Sequence, residues 1–152
     1  MNVLPEPAMR LTYQTDYALR MLMYLAVQGD RRSSIHEIAT QYGISENHLM
    51  KVTQRLSALG YVDALRGRSG GLKLAGKPED IRIGDIVREM EPDLEIVECF
   101  GAENTCTITP ACALRHVLDE ARQSFLAVLD SYTLKQLVAR PGKLKIALNI
   151  VA

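Results

Sequence analysis

Apolar residues recur every three to four positions along most of this chain and alternate strictly in one short stretch only. Across residues 11–27, Leu19, Leu22, Met23 and Ala26 fall at helical spacing, with Thr12 or Thr15 as an N-cap and Gly29-Asp30 as a stop. Ser34 caps a second predicted helix with Ile35, Ile38 and Ala39 inward, ended by Gly43. Ser45 caps a third, running to Leu59 and ended by Gly60, with Leu49, Val52, Leu56 and Leu59 as its stripe. The glycine and the fresh cap between the last two are what a tight helix–helix connection needs, so the pattern predicts a helix-turn-helix.

Residues 61–66 then alternate, a loop with Arg68 at its tip follows, and residues 72–75 return as a second strand. A hairpin placed directly after the third helix is a wing. Pro78 opens a further short helix over residues 83–90, closed by Pro92. Residues 93–110 lack a clean period and read as a loop. Residues 111–130 form a long helix with Leu114, Leu118, Ala121, Phe125 and Val128 or Leu129 on one face, and Thr133 caps a last short helix over 134–138. The expected fold is mainly α with a small β-hairpin wing: a winged helix-turn-helix plus a long C-terminal dimerisation helix. The division is a loose extension (1–8), the DNA-binding domain (9–77), a connecting helix (78–92), a cluster-binding loop (93–112), the dimerisation and final short helices (113–139) and a flexible tail (140–152).

Composition narrows the class. The apolar fraction of 47% is ordinary for a globular chain. No run approaches the roughly 18 apolar residues of a membrane span. The start, MNVLPEPAMR, lacks the basic and apolar regions of a secretory signal, so a cytoplasmic location away from membranes is expected. Net charge is zero, yet its distribution is uneven. Residues 45–77 hold six bases (Lys51, Arg55, Arg66, Arg68, Lys73, Lys77) against Glu46 and Asp63, whereas residues 79–103 hold nine acids against Arg82 and Arg88. One segment suits phosphates and the next does not.

The third helix carries the residues that would read DNA. With its apolar stripe turned inward, Ser45, Asn47, His48 and Lys51 lie on the outer face near the N-terminus, with Gln54 and Arg55 further along. Asparagine and lysine contact purine edges in the major groove, at about 1–3 kcal/mol of discrimination per good contact. Arg66 and Arg68 on the wing suit phosphate or minor-groove contact. Any one of these residues taken alone reads better as part of a solvated face; the ordered set points to double-stranded DNA. The long helix has too little of its own domain to cover its stripe. A homodimer would bury it and present two reading helices to a pseudo-palindromic operator.

Cys99, Cys106 and Cys112 crowd into a C-x6-C-x5-C loop. An odd count in a reducing compartment argues against a disulfide framework. Soft thiolates select zinc or iron–sulfur centres, the C-x2-C pairs usual for zinc are missing, and wide spacing suits a cluster. A fourth ligand is left open between His116 and many carboxylates. Burial as three small hydrophobes is the bland alternative, and the polar neighbours Glu98, Glu103, Thr105 and Thr107 count against it. A catalytic cysteine lacks any patterned histidine–aspartate partner, so an enzyme is not expected.

The strings MRLTYQTDYALRMLMYLA, GISENHLMKVTQRLSALGYVDALRGRSGG, IRIGDIVREMEP, CTITPAC and QSFLAVLDSYTLKQLV, in that order, resemble the winged-helix iron–sulfur transcriptional regulators, and within them the nitrite-sensitive repressors. The resemblance runs over residues 9–138. It implies a dimer whose [4Fe–4S] cluster, rather than [2Fe–2S], reacts with nitric oxide and whose loss releases operator DNA. It also implies a fourth ligand, Asp16 from the partner subunit's first helix, with Arg20 one turn later as its neighbour. The histidine ligand of another branch would fall at Arg115, so that ligand set is not implied, and His116 is one position out of register. The first cysteine gap varies within the family, and residues 1–8 have no counterpart. A sensor of iron, cluster or redox status, and a zinc- or thiol-based regulator of the same fold, remain the alternatives.

Overall fold

A computed structural model describes residues 9–150; the expected loose extension, residues 1–8, and the last two residues of the expected tail lie outside that range. The chain runs α1 (Tyr13–Gln28), α2 (Ile35–Tyr42), α3 (Glu46–Ala58), β1 (Val62–Leu65), β2 (Gly71–Leu74), α4 (Ile83–Met90), α5 (Ala113–Asp130), α6 (Leu134–Leu137) and α7 (Pro141–Ala147), with short 3-10 turns at Pro78–Asp80, Glu98–Phe100 and Thr109–Ala111. The fold is mainly helical with one antiparallel hairpin, in which Val62 pairs with Leu74 and Leu65 with Gly71.

Local chemistry sets these boundaries. Thr12, not Thr15, caps α1 by accepting from the Thr15 backbone N–H, and Ser34 does the same for Glu37 in α2. Gly43 ends α2 in the left-handed region at φ 65°, ψ 37°, which glycine adopts without steric cost and which turns the chain into α3. Ser45 stands at the N-cap of α3, but its hydroxyl makes no capping bond.

One apolar core holds the head. Met21, Leu22 and Leu25 of α1, Ile38 of α2, Leu49, Val52 and Leu56 of α3, Ile86 of α4 and Leu134 of α6 are fully buried. Burial of such a side chain contributes about 1.5–3 kcal/mol. The wing is rooted in this core through Leu72. Ser33 and Leu72 exchange backbone hydrogen bonds of 2.9 and 2.7 Å, and Arg32 reaches Asp63 Oδ2 at 2.6 Å and the Gly71 carbonyl at 3.1 Å. Gly71, at φ 125°, lies so close to Arg32 and Ser33 that a Cβ there would sit 3.1 Å from both.

Four expectations need correction. The flexible tail is instead α7: Pro141 stands at N1, where its fixed φ starts a helix, and Leu144 and the buried Leu148 dock on the core. Pro78 opens its own 3-10 turn, and the following helix starts separately after Arg82. The long helix begins at Ala113, because Thr109–Ala111 form a 3-10 turn and Cys112 is extended. On that helix Leu118 and Leu129 turn toward their own chain, and Val117 replaces Leu118 in the open stripe. The chain then returns to its head: Leu134 N–H donates to the Ile81 carbonyl at 2.8 Å, and Ile83 N–H to that of Tyr132 at 3.0 Å.

Candidate nucleic-acid interface and thiol loop

The inward stripe of α3 fixes what faces out. Asn47, His48, Lys51, Gln54 and Arg55 are all exposed on that helix, and so is Ser45 before it. Arg66 and Arg68 stand exposed in the turn of the hairpin. The two acids of this basic segment are both engaged from outside it: Asp63 by Arg32, and Glu46 by His36 Nδ1 at 2.5 Å. Among the described residues Lys51, Arg66 and Arg68 have no ion-pair partner, so their charge is available to phosphates. Arg55 is a partial exception, since its Nη2 donates to the Glu89 carbonyl of α4 at 3.1 Å. Tyr61, at the root of the wing, donates to Glu89 Oε2 at 2.5 Å, and burial with that carboxylate beside it holds its hydroxyl protonated well beyond the usual range.

The structure adds residues that periodicity does not single out. The Tyr17 ring on α1 lies 6.3 Å from His48, and the Arg20 guanidinium lies 5.6 Å from the Tyr17 ring and 6.0 Å from that of Tyr42. Tyr42 donates to the Arg20 carbonyl at 2.8 Å, and burial pushes its hydroxyl up to about 12. Arg20 also grips Asp16 in a fork, Nε to Oδ1 at 3.1 Å and Nη2 to Oδ2 at 2.8 Å. Asp16 is thus linked by side-chain contacts to the first turn of α3. The only sequence sign of this is Tyr17, three positions before Arg20 on the same helix. Glu91, at the end of α4, accepts from the Thr12 backbone N–H at 2.7 Å and ties the start of α1 to the start of the thiol loop.

The loop itself is held by polar side chains. Glu98 accepts from Thr105 N–H and Oγ1, both at 2.8 Å, and these bonds hold its carboxyl below the usual value. Asn104 accepts from Cys106 N–H at 3.0 Å and donates to Thr109 at 2.9 Å. All three cysteines are free; Cys106 is exposed, and Cys99 and Cys112 are half-buried. Among the described residues no three histidine, cysteine or carboxylate side chains converge closely enough to hold a metal ion. The donor chemistry nonetheless fits an anionic metal–thiolate centre. Cys112 stands at the N-cap position of α5 and its side chain makes no capping bond, which places the thiol at the positive end of the helix dipole. Beside the first turn of α5 lies a cavity of about 200 Å³ lined by Phe100, Arg115, His116, Asp119 and Arg122, in which Arg115 Nε is buried without a partner.

Residues 11–140 match the family described as Rrf2, iron-dependent transcriptional regulator. The chain belongs to the Rrf2 family. It is 55% identical over 132 residues, 86% of this chain and 90% of the relative, to the HTH-type transcriptional regulator NsrR of Bacillus subtilis. It is 49% identical over 144 residues, 93% and 99% of the two chains, to NsrR of Halalkalibacterium halodurans. Among solved structures it superposes on CymR, the global cysteine regulator of B. subtilis, with a TM-score of 0.71 at 29% identity, over 87% and 98% of the chains. IscR of T. potens gives 0.70 at 28% identity, over 87% and 88%. The resemblance read from the sequence strings is therefore right, as is the winged-helix fold. This Rrf2 protein is a DNA-binding transcriptional regulator and not an enzyme, and no described helix is long and apolar enough to cross a membrane.

Proposed function

We propose that this chain is a homodimeric repressor whose hold on a pseudo-palindromic operator depends on a [4Fe–4S] cluster ligated by Cys99, Cys106, Cys112 and the partner subunit's Asp16, with nitric oxide as the signal. The observation that carries the reading is the chain of contacts from Asp16 through Arg20 and Tyr17 to His48 on the exposed face of α3. The cluster, when bound, supplies iron that reacts with nitric oxide. Asp16 then has two alternatives: the fork of Arg20 in its own helix, or the thiol loop of the other subunit. A carboxylate is the hardest donor of the set and the weakest held by iron, so it is the ligand that changes partners. Its choice sets where Arg20 sits against Tyr17, and so how His48, Asn47 and Lys51 meet the groove.

The open face of α5 supports dimerisation. Leu114, Val117 and Val128 are about 60% exposed and Phe125 47%, a stripe that a second copy of the same helix would cover. The two reading helices would then address half-sites about 34–36 Å apart, or a multiple of that. Ser45, Gln54, Arg55, Arg66 and Arg68 are assigned to the same DNA contact. The cellular site of action is the cytoplasm.

The test is the visible spectrum and the affinity for a duplex selected from a random pool, measured anaerobically at fixed salt before and after nitric oxide. The expected result is a coloured protein that bleaches and loses at least about tenfold in affinity, which is about 1.4 kcal/mol. Equal binding by metal-free and loaded protein overturns the proposal, and a colourless protein carrying zinc replaces it with a zinc- or thiol-based regulator. The family description, iron-dependent, favours a second reading in which iron supply is the signal. Release by an iron chelator but not by stoichiometric nitric oxide would select it.

A further inference from the structure

No described residue between Met90 and Leu134 is buried, so the thiol loop has no apolar core of its own and its seat on α5 rests on a few side chains. Arg122 gathers most of them. Its guanidinium carbon lies 4.3 Å from the centroid of the Phe100 ring, Nη1 donates to the Leu94 carbonyl at 3.4 Å, and Nη2 donates to Asp119 Oδ1 at 2.5 Å. Asp119 is itself held from the other side by Gln123 Nε2 at 2.8 Å. The guanidinium is thereby locked in one plane by its own helix while its face is offered to the ring. Phe100 follows Cys99 directly and closes the 3-10 turn Glu98–Phe100, so whatever fixes the ring fixes that turn.

We propose that Arg122 and Phe100 form a positioning clamp that holds Cys99 in register with α5, and therefore with Cys112, which stands at the N-cap position of the same helix. The burial of the thiols agrees: Cys99 next to the clamp is half-buried, whereas Cys106, outside it, is exposed. A stacked arginine suits this task because the planar cation keeps its attraction to the ring at a partly wet site and its fork still serves Asp119 and Leu94. The clamp pre-aligns two of the three thiols before any metal arrives, which lowers the ordering cost of ligation. Its consequence for metal binding rests on the cluster reading above, but the placement of Cys99 does not.

The experiment compares the parent protein with Phe100→Leu, Arg122→Gln and Phe100→Tyr. The metal-free full-length protein is alkylated with iodoacetamide and each cysteine is followed by peptide mass spectrometry. The ratio of the Cys99 rate to the Cys106 rate is expected to rise roughly three- to fivefold in Phe100→Leu and Arg122→Gln, the loss of one such contact, and to stay at the parent value in Phe100→Tyr, which keeps the ring. Circular dichroism and melting of the metal-free protein are expected to be unchanged, because neither side chain belongs to the core. In a second arm, protein reconstituted with ferrous iron and sulfide is exposed to a chelator, and the first two variants are expected to bleach faster. An unchanged Cys99 ratio overturns the clamp, as does a rise shared equally by Cys106. A parent protein that takes up no chromophore overturns the cluster reading instead, and the alkylation ratios still decide the clamp.

Discussion

The head of the molecule and the arm that leaves it are held together by different physics. In the head, α1–α4, the wing and α6 close over fully buried side chains such as Leu22, Leu49, Ile86 and Leu134. In the arm, residues 91–133, no residue is fully buried, and apart from Leu129 against the core, position is set by separate ties: Glu91 to Thr12, Arg122 to Phe100 and Asp119, and Arg88 to Asp130 at 2.6 and 2.7 Å. A core of interdigitated apolar groups has one low-energy arrangement and resists small displacements. A set of isolated ties can be remade one at a time at little cost, and such regions open far below the global unfolding free energy. The proposed function uses both: a rigid surface to read DNA, and a segment whose geometry a ligand can reset.

The largest effect should come from attacking the head. Leu22→Ala removes a fully buried side chain from the centre of α1 and is expected to cost about 2–5 kcal/mol, or a fall in melting temperature of roughly 2–4 °C for each kcal/mol. Cys112→Ala in the arm is expected to leave the melting of metal-free protein unchanged. Equal losses at the two positions would erase the distinction.

Phe125→Glu attacks the open face of α5 and comes next. Phe125 is 47% exposed and lies outside the buried core, so the fold of each subunit should survive. A charge in the proposed seam leaves two carboxylates to be desolvated across the two-fold, and light scattering at micromolar concentration is expected to show a dimer for the parent and monomers for the variant. A dimer that persists would place the subunit contact elsewhere.

Gly84 marks where arm meets head, and its substitution should separate stability from coupling. A Cβ at Gly84 would fall 1.8 Å from Asp130 Oδ1, within the carboxylate that Arg88 holds. Gly84→Ala must therefore expel Asp130 from that pair. The helix propensity gained, about 0.8–1.0 kcal/mol, offsets the loss, so melting should stay close to the parent. The tie between α4 and α5 through Arg88 and Asp130 is lost regardless, and operator affinity is expected to fall. Unchanged affinity would show that the Arg88–Asp130 tie does not transmit.

How much of this was legible in the chain follows the same division. Where burial dictates the pattern, periodicity located α1–α4 and the wing to within a residue or two, because a core imposes one spacing. The arm offered only punctuation. Pro110 and Cys112 shift the start of α5, yet nothing in the spacing of Cys99, Cys106 and Cys112 shows that Phe100 and Arg122 meet, since a contact between residues so far apart in sequence leaves no periodic trace. The tail failed for the opposite reason: Leu144 and Leu148 are spaced correctly for a helix, but a stretch this short carries too few turns for its period to stand out. Asp16 was reached through resemblance alone, while its fork with Arg20 follows from ordinary i, i+4 geometry.

The smallest expected effect measures how polar the head is. Its main buried-edge polar cluster joins α1 to α2: Tyr24 donates to Glu37 Oε1 at 2.7 Å, and Arg31 forks onto both Glu37 oxygens at 2.7 and 3.2 Å. Burial alone would push the Glu37 carboxyl up, but the bonds from Arg31 and Tyr24 outweigh it and hold it below its ordinary value of 4.5. A carboxylate depressed in the folded state stabilises the fold above its unfolded value and loses that contribution as pH falls through the folded one. Glu37→Gln should therefore cost about 1 kcal/mol in urea unfolding at pH 7, a gap that closes progressively below pH 4.5. A gap that stayed constant to low pH would mean that shape rather than charge fills the site, and the head would then be apolar in its energetics as well as in its packing.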